Sequence, residues 1–212
     1  GSHTAALAAS DVAVDALFHQ TGVIRAETLE QMLALASGLA AQPLPAGRRV
    51  GIITNAGGPA ILCADACETG GLALPELSAR TKSTLAAFLL STAALNNPVG
   101  LIASATPEQY CKTIETMLAA DEIDALIILY TSVTAVDTAG IAQGIEEGIA
   151  NGRRSGAKTK PVLTGWIAEG DSDRTFSPVT ETIPVYSLPE SPAFVLSKAS
   201  AYAEWQRQPT GM

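Results

Sequence analysis

Arg49-Val50-Gly51-Ile52-Ile53-Thr54-Asn55-Ala56-Gly57-Gly58-Pro59-Ala60 decides how this chain is read. Val50, Ile52 and Ile53 are strand formers, and the breaker-rich Pro43–Gly47 precedes them. Thr54, Asn55, Gly57 and Gly58 suit a sharp turn, because glycine tolerates positive φ and close backbone approach. Pro59 fits the first helical position, where a missing N–H costs nothing. Ala60 to Thr69 then reads as a helix apolar on nearly every side, which predicts burial. Its free N–H groups and dipole would converge on Asn55, Ala56, Gly57 and Gly58, a natural anion-binding point. The same pattern also fits the first βα turn of any doubly wound fold, with glycine present for tightness only.

Composition narrows the classes. A chain of 212 residues, 47% hydrophobic and 16% charged, excludes wholesale disorder and allows a sizeable core. A net charge of −8 argues against nucleic acid as a partner. No apolar run reaches the roughly 18 residues of a membrane span and no signal peptide is visible, so no membrane role and a cytoplasmic location are expected. Cys63 and Cys67, on the apolar helix, read as small core hydrophobes. With two His in the chain, no metal site is expected, and His19 reads as a solvated surface residue.

Outward from the opening stretch, two helices precede it. The first, capped by Ser10 or Asp11, carries Val14, Leu17 and Phe18 and stops near Gly22. The second runs from about Ala26 to Ala41, and together they form a helical hairpin. Downstream come a short strand at Leu72–Leu74 and a helix over about Ala79–Leu90. A brief strand follows Asn97-Pro98, and a helix starts at Thr106-Pro107-Glu108-Gln109. Ala125–Tyr130 is a continuous apolar run, as expected of a parallel strand covered on both faces. A helix with Ile141, Ile145 and Ile149 follows, then strands at Pro161–Ile167 and Ile183–Tyr186, and a last helix capped by Ser191-Pro192. The alternation implies an α/β fold: a flavodoxin-like parallel sheet with helices on both faces, preceded by the helical hairpin. Ligands of such sheets bind beyond the carboxyl ends of the strands, where Asn55–Gly58 lies. The division expected is residues 1–45 helical, 46–208 the α/β domain and 209–212 a tail.

Neither a GxGxxG opening a βα unit nor a Walker A motif is present. Thr54 and Asn55 stand where a response regulator needs acidic residues, and aromatics, at 5%, are too few to flank a flavin. What the chain does resemble is a domain of the NDP-forming acyl-CoA synthetases, relatives of succinyl-CoA synthetase. Arg49–Pro59 looks like the opening of the third domain of their alpha unit. Asp65–Leu72, Leu74–Ser78, Asn97-Pro98-Val99, Ile123–Leu126 and Lys160–Leu163 are similar to successive family blocks. Ser2-His3-Thr4-Ala5-Ala6-Leu7-Ala8-Ala9-Ser10-Asp11 is similar to the phosphohistidine segment, with Ala5 and Ala9 in place of Gly.

The resemblance implies that His3 carries a phosphoryl group between an acyl-phosphate site and a nucleotide site. Gly1-Ser2-His3 equally matches a purification-tag remnant, so His3 has that role only where it is native. It implies that Pro59–Thr69 is one of two helices pointing at the phosphohistidine. It implies a fragment that is inactive alone and holds no cofactor. The parent would use ATP/ADP, CoA and Mg, and would be oligomeric. Its upstream CoA-binding and phosphohistidine domains and an ATP-grasp module would be the partners, with phosphate as ligand. The parent reaction interconverts acyl-CoA, NDP and phosphate with acid, NTP and CoA. The alternative is a non-catalytic regulatory or assembly domain of a protein lysine acetyltransferase built on the same scaffold.

Overall fold

A computed structural model describes residues 11–132, 137–156, 159–168 and 181–208. Among them a five-stranded, all-parallel sheet has the order β2-β1-β3-β4-β5. The strands are β1 (Val50–Thr54), β2 (Val99–Gly100), β3 (Ala125–Thr131), β4 (Val162–Ile167) and β5 (Val185–Tyr186). This is the flavodoxin-like order, whose switch point lies between β1 and β3. The helices are α1 (Asp11–Thr21), α2 (Leu29–Ala41), α3 (Gly57–Thr69), α4 (Ala79–Ala86), α5 (Pro107–Ala119), α6 (Thr138–Arg154) and α7 (Ser191–Gln206).

The apolar run of β3 is continuous because both its faces are covered. Leu126, Ile128 and Tyr130 join the core shared with Ile114 of α5 and Ile145 of α6. Ile127 and Leu129 join Val50, Ile52, Cys63, Cys67 and Leu196 on the other face. Cys63 and Cys67 are fully buried, and the Cys67 thiol together with burial pushes the Cys63 pKa upward. They are core residues, not reactive thiols.

Two asparagines do strand work with their side chains. β2 pairs with β1 only at Ile53 and Thr54. Below that, Asn97 takes the place of a strand: Oδ1 accepts from Ile52 N at 3.0 Å, and Nδ2 donates to Val50 O at 2.8 Å and Pro75 O at 3.2 Å.

The capping box expected at α5 is present, with the Thr106 hydroxyl accepting from Gln109 N at 3.2 Å and Thr106 N donating to Gln109 Oε1 at 3.0 Å. Several boundaries differ. Leu72–Leu74 is no strand: a single bridge joins Ala73 to Arg49 and the chain turns away at Pro75. α2 starts at Leu29, not Ala26, because the Thr28 hydroxyl caps it by accepting from Gln31 N. α4 ends at Ala86, and only Ala87 and Phe88 continue as a turn. Ser191 is the first residue of α7 and not its cap; Glu190 holds that position without a side-chain bond. Ser10 lies outside the described residues.

Polar anchors hold the loops at the amino ends of the strands. Arg49 grips Asp124 through Nε (3.0 Å) and Nη2 (2.7 Å). Glu122 accepts from Ser78 N at 2.6 Å and Thr81 Oγ1 at 2.9 Å, tying the start of α4 to the turn before β3. Burial opposes the Glu122 charge, but these hydrogen bonds outweigh it and hold its pKa at about 2, below its ordinary 4.5. The depressed value contributes stability above about pH 4.5 that is lost as pH falls toward 2. Glu122→Gln is therefore expected to flatten the acid limb of stability between those values, measured by urea unfolding at stepped pH; an unchanged limb would show that the bonds do not favour the charged form.

Candidate functional site

The sheet order puts the functional candidate where β1 and β3 part. β3 runs two residues beyond the last β1 pair, Thr54 with Leu129. Asn55 closes that gap: its Nδ2 donates to Thr131 O at 2.8 Å and its Oδ1 accepts from Thr131 N at 2.9 Å. The buried amide thus acts as one more strand residue and fixes where the backbone leaves the sheet. The Thr54 hydroxyl accepts from Ala56 N at 3.1 Å and donates to Ala56 O at 2.9 Å, closing the turn locally.

The helix begins earlier than the sequence suggests. Ala56, in extended conformation, is the N-cap; Gly57 and Gly58 are the first two helical residues, and Pro59 is the third rather than the first. Neither glycine is among the described ones with positive φ, namely Gly22, Gly71 and Gly156. Among the described residues, a Cβ at Gly57 or Gly58 would meet no atom within 4 Å. Neither the turn nor packing against the described residues explains them. They cost helix stability, roughly 0.5–1 kcal/mol each relative to alanine, and leave bare backbone facing outward.

Of the three amides placed at this end, Ala56 N–H is taken by Thr54. Gly57 and Gly58 N–H remain without a partner among the described residues, as expected of the first turn of a helix. Pro59 has no donor to offer. Asn55 commits its amide oxygen and one amide hydrogen to β3 and keeps a second hydrogen. No Lys or Arg lies between Val50 and Ala79, so within this segment the helix dipole and the bare amides supply the favourable field for an anion. The arrangement suits a small oxyanion held by backbone donors.

α3 is not buried all round. Cys63 and Cys67 face the sheet, whereas Ile61 and Leu62 are 62% and 49% exposed beside the glycines. His19 is exposed on α1, and His3 lies outside the described residues. Thr54 closes the turn for which the sequence suited it, whereas Thr131, the backbone partner of Asn55, was missed by sequence reasoning. Among the described residues no three His, Cys, Asp or Glu side chains converge as a metal group, and no helix is long and apolar enough to cross a membrane.

Because no described residue would contact a Cβ at Gly58, Gly58→Ala is expected to raise stability by about 0.5–1 kcal/mol, read from chemical denaturation. A loss of stability would mean that the glycine has an internal role.

Residues 50–208 match the family model of the Ligase-CoA domain. The chain belongs to this family. Residues 1–39 match a second model, the succinyl-CoA ligase like flavodoxin domain. This Ligase-CoA chain is 38% identical over 95% of its length to the alpha subunit of acetate–CoA ligase [ADP-forming] II of Pyrococcus furiosus, of which it covers 43%. It is 32% identical over 95% of its length to acetate–CoA ligase [ADP-forming] of Methanocaldococcus jannaschii, covering 29%. A Pyrococcus horikoshii OT3 protein of known crystal structure superposes with a TM-score of 0.82 at 32% identity, over 95% of this chain and 46% of that one. The apo dinucleotide-forming acetyl-coenzyme A synthetase 1 of Ca. Korarchaeum cryptofilum shares the fold, with a TM-score of 0.81 at 23% identity over 94% and 43%. The chain therefore spans less than half the length of these relatives.

Proposed function

We propose that this chain is the phosphohistidine-docking part of an NDP-forming acyl-CoA synthetase. The observation that carries the reading is the glycine-lined start of α3, where two N–H groups have no partner and neither glycine has a packing reason among the described residues. A phosphoryl group on a histidine carries close to two negative charges. Gly57 and Gly58 would donate to its oxygens, and the α3 dipole would add roughly 0.3–1 kcal/mol at such an exposed end. Asn55, locked to Thr131, holds the donors at a fixed place relative to the sheet and has one amide hydrogen to spare.

The relatives named as ADP-forming acetate–CoA ligases support a parent reaction in which acyl-CoA, ADP and phosphate exchange with acid, ATP and CoA. The chain would contribute one docking point for the phosphoryl carrier, and other modules would hold CoA and nucleotide. Among the described residues no three His, Cys, Asp or Glu side chains converge at the cradle, so no step is assigned to Mg here. None of the relatives reported above is named an acetyltransferase.

Alone, the chain is expected to show no synthetase turnover. In the parent protein, ATP is expected to label His3, and His3→Ala to remove the label. A genomic sequence with another residue at position 3, or normal labelling of the variant, would refute His3 as carrier and leave the α3 cradle to be tested separately.

A further inference from the structure

α2 has two apolar faces, and this chain uses one of them. At about 100° per residue, Leu35 and Gly38 share the inner side: Leu35 is buried, and a Cβ on Gly38 would strike Val195 and the Tyr186 hydroxyl. That hydroxyl donates to Ala34 O at 3.1 Å. Leu29, Met32, Leu33 and Ala36 lie on the opposite side, within about 100° of one another, and Leu29, Met32 and Leu33 are 68%, 52% and 59% exposed. Ala40 extends the stripe, which carries no charge. A helix apolar on both sides belongs between two packed layers.

The match over residues 1–39 indicates the second layer. It is to a flavodoxin-like domain, yet the described part of that stretch contains α1 and most of α2 and no strand. A flavodoxin-like domain needs a parallel sheet to cover its helices, and this chain spans less than half of the relatives that it matches. We infer that the outer face of α2 is the seat of the sheet-bearing remainder of the preceding succinyl-CoA-ligase-like flavodoxin domain on the same polypeptide. α2 is then a shared wall. Its inner face fixes it to β5 and α7, and its outer face holds the domain that precedes it, so the two cannot drift as beads on a linker. The inference does not depend on phosphoryl docking at α3.

The test is amide hydrogen exchange across Leu29–Ala41 in this 212-residue chain and in the chain extended upstream by the rest of the matched domain. Exchange is expected to be at least tenfold slower in the extended protein. Leu29→Glu/Leu33→Glu is expected to cancel that protection while leaving the unfolding midpoint of the 212-residue chain unchanged, since both side chains are exposed there. Equal exchange in the two wild-type proteins would overturn the inference, as would protection that the double variant leaves intact. So would exchange in the 212-residue chain that slows with protein concentration to the level of the extended protein, because the occupant would then be a second copy.

Discussion

Gly144→Val is expected to destabilise the chain by about 3 kcal/mol or more, at the upper end of what overpacking costs, and to lower its thermal midpoint by roughly 6–12 °C. Gly140, Gly144, Gly148 and Gly152 recur every fourth residue along α6 and turn one bare stripe toward α5. A Cβ at Gly144 would overlap the Pro107 carbonyl and lie 2.9 Å from Pro107 Cα; at Gly148 it would lie 2.7 Å from Cys111 O. These are backbone atoms, which cannot rotate away, so the two helices would have to separate. They would open the core around Ile114, Ile145 and Ile149, all fully buried. Differential scanning calorimetry reads the effect, and a midpoint within 2 °C of wild type would show that α5 and α6 do not pack backbone to backbone.

The second large effect falls on function and leaves the fold alone. Gly57→Val places a branched side chain where a Cβ now meets nothing, so the core should be untouched. The isopropyl group would occupy the space above the Gly57 and Gly58 amides that an oxyanion needs. In the parent protein, phosphoryl transfer through this end of α3 is expected to fall at least a hundredfold, about 2.7 kcal/mol at 1.36 kcal/mol per tenfold, while the far-UV spectrum and unfolding midpoint stay close to wild type. Gly58→Ala separates the same two properties more gently, raising stability while crowding the cradle. Transfer that survives Gly57→Val unchanged would remove the site from the pathway.

The architecture was legible because its signals are local. The unbroken apolar run at Ala125–Tyr130, the strand-to-glycine transition at Ile53–Gly58 and the Thr106–Gln109 capping box each state their structure within a few residues. What escaped depends on distant partners. Asn55 read as a turn residue and Asn97 as the lead-in to a brief strand, yet they bond backbone that lies 76 and 45 to 47 positions away in the chain. Gly57 and Gly58 read as turn glycines because positive φ is the usual reason for such a pair; helical φ with nothing above the Cα can be recognised only in three dimensions. Ile61 and Leu62 suggested a buried helix because hydrophobic periodicity records that a face is apolar and not whether this chain covers it. The same limit hid the double-faced character of α2. The glycine stripe of α6, in contrast, stood in the sequence at four-residue spacing and was a local signal left unread.

The central claim is that the start of α3 is an anion cradle made of backbone. It is tested most directly by titrating inorganic phosphate into the 15N-labelled 212-residue chain and following its amide resonances. With two bare amides and no Lys or Arg within residues 51–78, the account predicts weak, millimolar binding that weakens further with salt. It predicts the largest shifts at Gly57 and Gly58 and no saturable shift in Gly57→Val. Shifts centred elsewhere with silent Gly57 and Gly58 amides, or equal binding by Gly57→Val, would contradict it.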